Sequence, residues 1–288
     1  MVQKAVILAG GMGTRFLPYT KCHPKEMLAV IDKPAMQILV EEVVASGIKD
    51  VLIVLSHEKQ DIVNFFTPND NLYKYLEGKN LPQYCQMLRN VEGMANVNFV
   101  FQPKPNGTGE AVLLCREWVD NSPFALLCGD DVIFGKVPAT AQLIDAYKAT
   151  NGKSIVGVQR VSLQDIPNYA SVGVTDSASV TSQVQVIVEK PLQHQAPSNL
   201  ASLGRYVFAP TIFDALSQTP FTNGERQLTG AMQILASQGQ LYSHTFVGNR
   251  FDFGNKFGYL MGVTYAGLHD VRFSARYRQY LTQLLENN

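Results

Sequence analysis

No apolar run in this chain of 288 residues approaches the ~20 residues a membrane span needs, which excludes a helical membrane protein. An excess of either charge is missing too. Lysine and arginine total 24 and aspartate and glutamate total 24, so no bulk field draws the chain to nucleic acid or an anionic membrane, and neither is an expected partner. The four cysteines, Cys22, Cys85, Cys115 and Cys128, are scattered without a CxxC pair, so neither a zinc site nor a disulfide framework is indicated. The five histidines, His23, His57, His194, His244 and His269, form no HxxxH, and no serine stands in GxSxG. Metallohydrolase and catalytic-triad chemistry therefore have no support. A buried strand beginning at Ala5 leaves no room for a signal peptide, and a reducing cytoplasm is the expected location.

What is present begins at residues 4–25, KAVILAGGMGTRFLPYTKCHPK. A short apolar run, Ala5 to Ala9, reads as a fully buried strand and passes at once into Gly10, Gly11, Met12, Gly13, Thr14 and Arg15. Glycines belong there because successive backbone N–H groups close on a polyanion only where no Cβ blocks the approach. Arg15 adds a planar fork of donors and Lys25 a point charge on a flexible stem. Two known phosphate-loop templates fail. No Gly-Lys pair follows the glycines, against the Walker loop, and the last position of GxGxxG falls on Phe16.

The chain then alternates. Residues 36–44 place Met36, Leu39, Val40, Val43 and Val44 on one helical face, which stops at Gly47, and Asp32 is the expected cap of a helix starting at Pro34. Residues 51–55, VLIVL, are apolar on both faces and read as a strand inside a covered sheet, so strand, helix, strand is a parallel βαβ unit. A helix is expected over about 58–66, and the polar, aromatic stretch 67–93 reads as an inserted helical arm centred on 72–88. Another strand, 97–101, runs into the rigid loop from Gln102 to Glu110. From spacing alone, Gln102 reads more readily as a tie within its own loop. A helix carrying Val112, Cys115 and Val119 leads to the buried run 124–128 and then to Asp130 and Asp131. Carboxylates at the C-terminal end of such a strand sit where open α/β sheets bind ligands, and their hard oxygens suit Mg²⁺.

LAGGMGTR, followed by Pro18, Thr20 and PKEML, and by Asp32-Lys33-Pro34, resembles the signature of the sugar-1-phosphate nucleotidylyltransferases, and specifically the bacterial UTP-glucose-1-phosphate uridylyltransferases of carbohydrate metabolism. The resemblance implies a Rossmann-like, doubly wound α/β fold with a mixed, mostly parallel sheet. It implies UTP and glucose 1-phosphate as substrates and Mg²⁺ as cofactor. Nucleotide contacts fall on Ala9, Gly10, Gly11, Gly13 and Thr14, with Gln102, Gly107 and Gly109 around the uracil. Arg15, Lys25 and Lys190 become the catalytic cations, Asp130 and Asp252 the metal ligands, and Glu189, Lys190, Gly173 and Gly204 the sugar contacts. Positioning and charge stabilisation would then do the catalysis, with no protein nucleophile.

From Ser154 the pattern turns β-rich, with 154–161, 184–191 and 202–210 separated by polar turns. The expected division is one nucleotidyltransferase domain with a nucleotide-binding lobe (1–150), a smaller sugar-binding lobe (151–254) and C-terminal helices (255–288). Two departures from the family pattern bear on the sugar: Tyr169-Ala170-Ser171 where Tyr-Gly-Val is usual, and Gly230 where an aspartate usually precedes Ala231. Glucose is the expected sugar, with galactose or an N-acetylated sugar as alternatives. Other readings are a thymidylyltransferase and a regulatory homologue that binds UDP-glucose with weak catalysis. Aromatic and leucine residues at helical spacing over 257–285 predict two helices and a homo-oligomer.

Overall fold

The structure, a computed structural model, describes residues 1–287. Its first half is built as the apolar runs predict. β1 (Lys4–Ala9), α1 (Ala35–Ala45) and β2 (Asp50–Leu55) form a βαβ unit, with β1 parallel to β2 from Lys4↔Asp50 to Ala9↔Leu55. Alternate side chains enter two apolar layers: Val6, Leu52 and Val54 on one face, Ala5, Ile7, Val51 and Ile53 on the other. Met36, Leu39, Val40 and Val43 of α1 are fully buried in the second layer. The predicted cap is corrected: Pro34 occupies the cap position, and the Asp32 carboxylate is held by Arg272 near the other end of the chain.

α2 spans Gln60–Phe66. The predicted single arm is two helices, α3 (Asp70–Gly78) and α4 (Pro82–Glu92), because Asn80 takes a left-handed φ of 56° and Pro82 opens a new helix. β3 (Asn96–Phe101) follows at the edge of the sheet. The next predicted helix is broken into α5 (Thr108–Leu113) and α6 (Arg116–Val119), although Val112, Cys115 and Val119 are all buried as expected. β4 (Phe124–Cys128) lies parallel to β1. β5 (Asp131–Phe134) then leaves the sheet, and α7 (Ala139–Ala149) packs beneath it.

The β-rich half supplies β6 (Ser154–Arg160), β7 (Ser171–Val174), β8 (Thr181–Val188), β9 (Leu200–Phe208), α8 (Ile212–Gln218), α9 (Leu228–Ser237), β10 (Leu241–Thr245) and β11 (Asn249–Asp252). The chain ends in α10 (Lys256–His269) and α11 (Ser274–Glu286), the two helices predicted. Among the described residues nine strands form one mixed sheet, ordered β3-β2-β1-β4-β9-β6-β10-β8-β7. The parallel share is smaller than predicted. Pairings are parallel from β3 to β4, but β9 runs antiparallel to both β4 and β6, and β8 antiparallel to β10 and β7. No described helix is long and apolar enough to cross a membrane.

A buried ionic cluster ties the halves together. Arg205 of β9 is fully buried; its Nη2 donates to Glu42 Oε2 of α1 at 2.7 Å and to the Asp131 carbonyl at 2.7 Å. Burial alone would raise the pKa of Glu42, but Arg205 and Thr140 outweigh it and hold the carboxyl below its usual range. A depressed folded pKa contributes stability above the unfolded value of about 4.3, and that contribution disappears as pH falls through the folded pKa. Glu42→Gln is therefore expected to cost about 3–5 kcal/mol at neutral pH, by leaving a buried guanidinium unpaired. In urea melts the gap from wild type closes as the pH drops below about 4; a gap independent of pH would rule out this account.

Candidate active site

The C-terminal ends of β1, β3 and β4 bound a cleft of about 280 Å³, lined by Gly10, Gly11, Lys25, Gln102, Gly107 and Asp130 among others. Register explains how distant residues meet there. Ala9 is opposite Leu55 and Leu55 opposite Phe101, so Gly10 and Gln102 emerge at the same level one residue later, on either side of Ser56. A side chain at Gly10 would start 2.9 Å from Gln102 Oε1, and one at Gly11 would face Lys25 Nζ at 3.8 Å. The first two glycines thus make room for groups leaning over the loop. Gly13 has φ 67° and packs against Thr20, whose hydroxyl donates to the Gly13 carbonyl at 2.8 Å, so its role is to turn the chain into the short helix Thr14–Phe16.

Gln102 plays the local role its spacing indicates, since Nε2 donates to the Gly107 carbonyl at 3.3 Å, and its Oε1 faces the Gly10 side. Gly107, at φ 98°, and Gly109 are pressed against the Arg226 backbone, where any Cβ would come within 2.8 Å of the Arg226 carbonyl oxygen. Arg226 secures this contact by an ion pair to Glu110 at 2.6 Å.

At the other end of the cleft Lys25 makes a direct ion pair with Asp130. Burial works against the Lys25 ammonium, but Asp130 and Glu26 outweigh it and its pKa lies above the ordinary value. Burial likewise opposes the Asp130 carboxylate, and Lys25 holds its pKa below the ordinary range. Asp252 arrives from the β5–β11 ribbon, in which Asp131 and Asp252 are partners. The Phe253 N–H donates to the Asp130 carbonyl at 2.7 Å, and Asp252 Oδ1 accepts from the Gly254 N–H at 2.7 Å. A Cβ on Gly254 would lie 2.8 Å from both Asp130 Oδ2 and Asp252 Oδ1 and 3.5 Å from Arg15 Nη1. Two carboxylates and a guanidinium therefore converge on a space that exists because residue 254 has no side chain. Two hard oxygen donors around such a cradle suit a divalent cation. No group of three or more His, Cys, Asp or Glu among the described residues forms a ready-made metal cage.

A family model described as nucleotidyl transferase matches residues 4–263. The chain belongs to the nucleotidyl transferase family. It is 39% identical over 284 residues to UTP–glucose-1-phosphate uridylyltransferase of Staphylococcus epidermidis, with 98% of each chain covered. To the protein of that name from Mycoplasma pneumoniae it is 42% identical over 273 residues, 93% of each. Among solved structures, UTP-bound UGPase from Acinetobacter baumannii matches with a TM-score of 0.89 and 34% identity, over 99% of this chain and 100% of that one.

In this nucleotidyl transferase the expected sugar residues lie outside the cleft just described. Glu189 accepts a hydrogen bond from Thr229 Oγ1, and Lys190 sits at φ 42°, a left-handed backbone seldom taken by a side-chain-bearing residue and often found at functional sites. Gly204, at φ 57° in a bulge of β9, has the Asp131 side chain packed where its own would be. Gly173 is accounted for by packing, because a Cβ there would meet Val186 at 2.8 Å and Pro197 at 3.1 Å. The departure at Gly230 has a physical cause: Thr219 Cγ2 stands 2.6 Å from where a side chain would begin, leaving no room for aspartate. Asp131 is committed to Arg250, which also donates to the Tyr169 hydroxyl at 2.9 Å. Sequence reasoning assigned no role to Glu225 or Cys128 of the cleft wall, nor to Arg250 and Lys59 behind it. Of these only Glu225 had a signal, its place in the ERQLTGA stretch.

Proposed function

We propose that this nucleotidyl transferase carries UMP from UTP to glucose 1-phosphate, giving UDP-glucose and pyrophosphate. The observation that carries the reading is the layout of the cleft: a glycine loop, Lys25 and the Asp130–Asp252 pair at one end, and Gln102 with the Gly107 turn at the other. Relatives named for this reaction, aligned over nearly the whole chain, support the choice of substrates.

In this mechanism a phosphate oxygen of glucose 1-phosphate attacks the α-phosphorus of UTP in line, and the bond from that phosphorus to the oxygen bridging to the β-phosphate breaks, releasing pyrophosphate. Gln102 and the Gly107 turn read the uracil edge. Ala9, Gly10, Gly11, Gly13 and Thr14 offer backbone to the triphosphate, with Arg15 on the leaving group. Lys25 meets the charge that grows on the α-phosphate, Lys190 orients the attacking phosphate, and Glu189 grips sugar hydroxyls. Mg²⁺ held by Asp130 and Asp252 would neutralise phosphate oxygens and offset the repulsion between two anions. Copies of the chain would associate through α10 and α11, where Phe257, Leu260 and Met261 are exposed.

Pyrophosphate release from UTP and Mg²⁺ tests this, run with and without glucose 1-phosphate and with dTTP or galactose 1-phosphate as alternatives. Release is expected only with a sugar phosphate, and fastest with UTP and glucose 1-phosphate. Preference for dTTP would make the protein a thymidylyltransferase. No release from protein that binds UDP-glucose would make it a regulatory homologue.

A further inference from the structure

Directly beneath the cleft lies an ion pair that no step above uses. Lys25 and Glu26 are neighbours in the short helix Lys25–Met27, and their side chains part. Lys25 rises to Asp130, while Glu26, 1% exposed, turns into the interior under Gly129. There Lys59 Nζ, 4% exposed and contributed by the residue preceding α2, donates to both carboxylate oxygens at 2.8 and 2.7 Å. The result is a row of alternating charges, Lys59, Glu26, Lys25, Asp130.

Burial pushes the Glu26 carboxyl above its ordinary pKa despite two cations within electrostatic reach, so as a carboxylate it needs one of them close by. One is Lys59. The other is Lys25, which the proposed reaction needs at Asp130. We infer that Lys59 is a positioning residue: by occupying both oxygens of Glu26 it keeps that carboxylate from drawing Lys25 down out of the cleft. Glu26 in turn anchors the helix that carries Lys25, its Cγ lying 3.2 Å from where a Gly129 side chain would start. The inference deepens the proposed function and rests on it for the role of Lys25.

Removing Lys59 alone should then do more harm than removing both charges. Lys59→Met is expected to lower kcat roughly 30-fold with little change in KM, as Lys25 is displaced by an ångström or more. Glu26→Gln/Lys59→Met, which has no competing carboxylate, is expected to return to within about tenfold of wild type, although the same lysine is missing. Each variant is melted by circular dichroism and assayed well below its midpoint, so that loss of fold is read separately from loss of turnover. A metal-free crystal structure of Lys59→Met is expected to show Lys25 Nζ on Glu26. Finding it still on Asp130, or finding the folded double variant as slow as the single one, overturns the inference. If Lys59→Met does not fold, the double variant decides: folded and within tenfold of wild type it supports the inference, and folded but 30-fold slower it ends it. Inactive wild-type protein would instead remove the functional reading, while the position of Lys25 in the crystal would still test the inference.

Discussion

Lys25→Ala is expected to leave a folded protein whose kcat is lower by about 10³, with a much smaller effect on KM for UTP. The size follows from where Lys25 sits. Its ammonium is largely buried against Asp130, so water screens it poorly, and it is positioned before the reaction begins. Lys25→Arg should recover little, because a planar fork cannot replace a compact charge in that space. Asp130→Asn is expected to cost as much, since it removes a carboxylate from the cradle and leaves Lys25 without its partner. Steady-state rates of pyrophosphate release, with melting curves to establish folding, measure both. Near-full turnover in either folded variant would mean that the cleft is not the reacting centre.

Gly254→Ala is expected to lower kcat by about 10² while shifting the melting midpoint by only a few degrees. One methyl suffices because it would stand 2.8 Å from the Asp130 and Asp252 oxygens together, so both carboxylates must swing away from their shared space. The backbone at Gly254 is not left-handed, so alanine brings no strain of its own there. Gly78→Ala makes the control, since nothing lies within 4 Å of that position. It is expected to turn over as wild type does. A Gly254→Ala protein with wild-type kcat would show that the convergence of the two carboxylates is irrelevant to catalysis.

The half of the molecule that binds phosphate in our reading was the more legible in sequence. Runs such as VLIVL are apolar on both faces, and a strand of that kind has nowhere to go but the interior of a covered sheet. Strand ends then locate Gly10, Gln102 and Asp130 almost unaided. The second half was less legible because β9 runs backwards between β4 and β6, a pairing with no local signature in SLGRYVF. For the same reason nothing around Asp32 announced Arg272, and nothing around Glu26 announced Lys59, thirty-three positions away. Gly254 stands in sequence two residues after Asp252. That it stands between two carboxylates depends on β11 pairing with β5, which only the folded chain displays. Gln102 was legible as a loop tie, the bond its Nε2 makes to the Gly107 carbonyl.

The β5–β11 ribbon also bears on the birth of the protein. Its strands come from 119 positions apart in the chain, measured from Asp131 to Arg250, and the second is the last strand among the described residues. A ribosome that has delivered the glycine loop, Lys25 and Asp130 must still synthesise more than a hundred residues before Asp252 exists to face them. Contacts of such long range close late and slowly. The nascent chain therefore holds half a cradle while residues 131–252 are added, and the two carboxylates meet only after that stretch has been made.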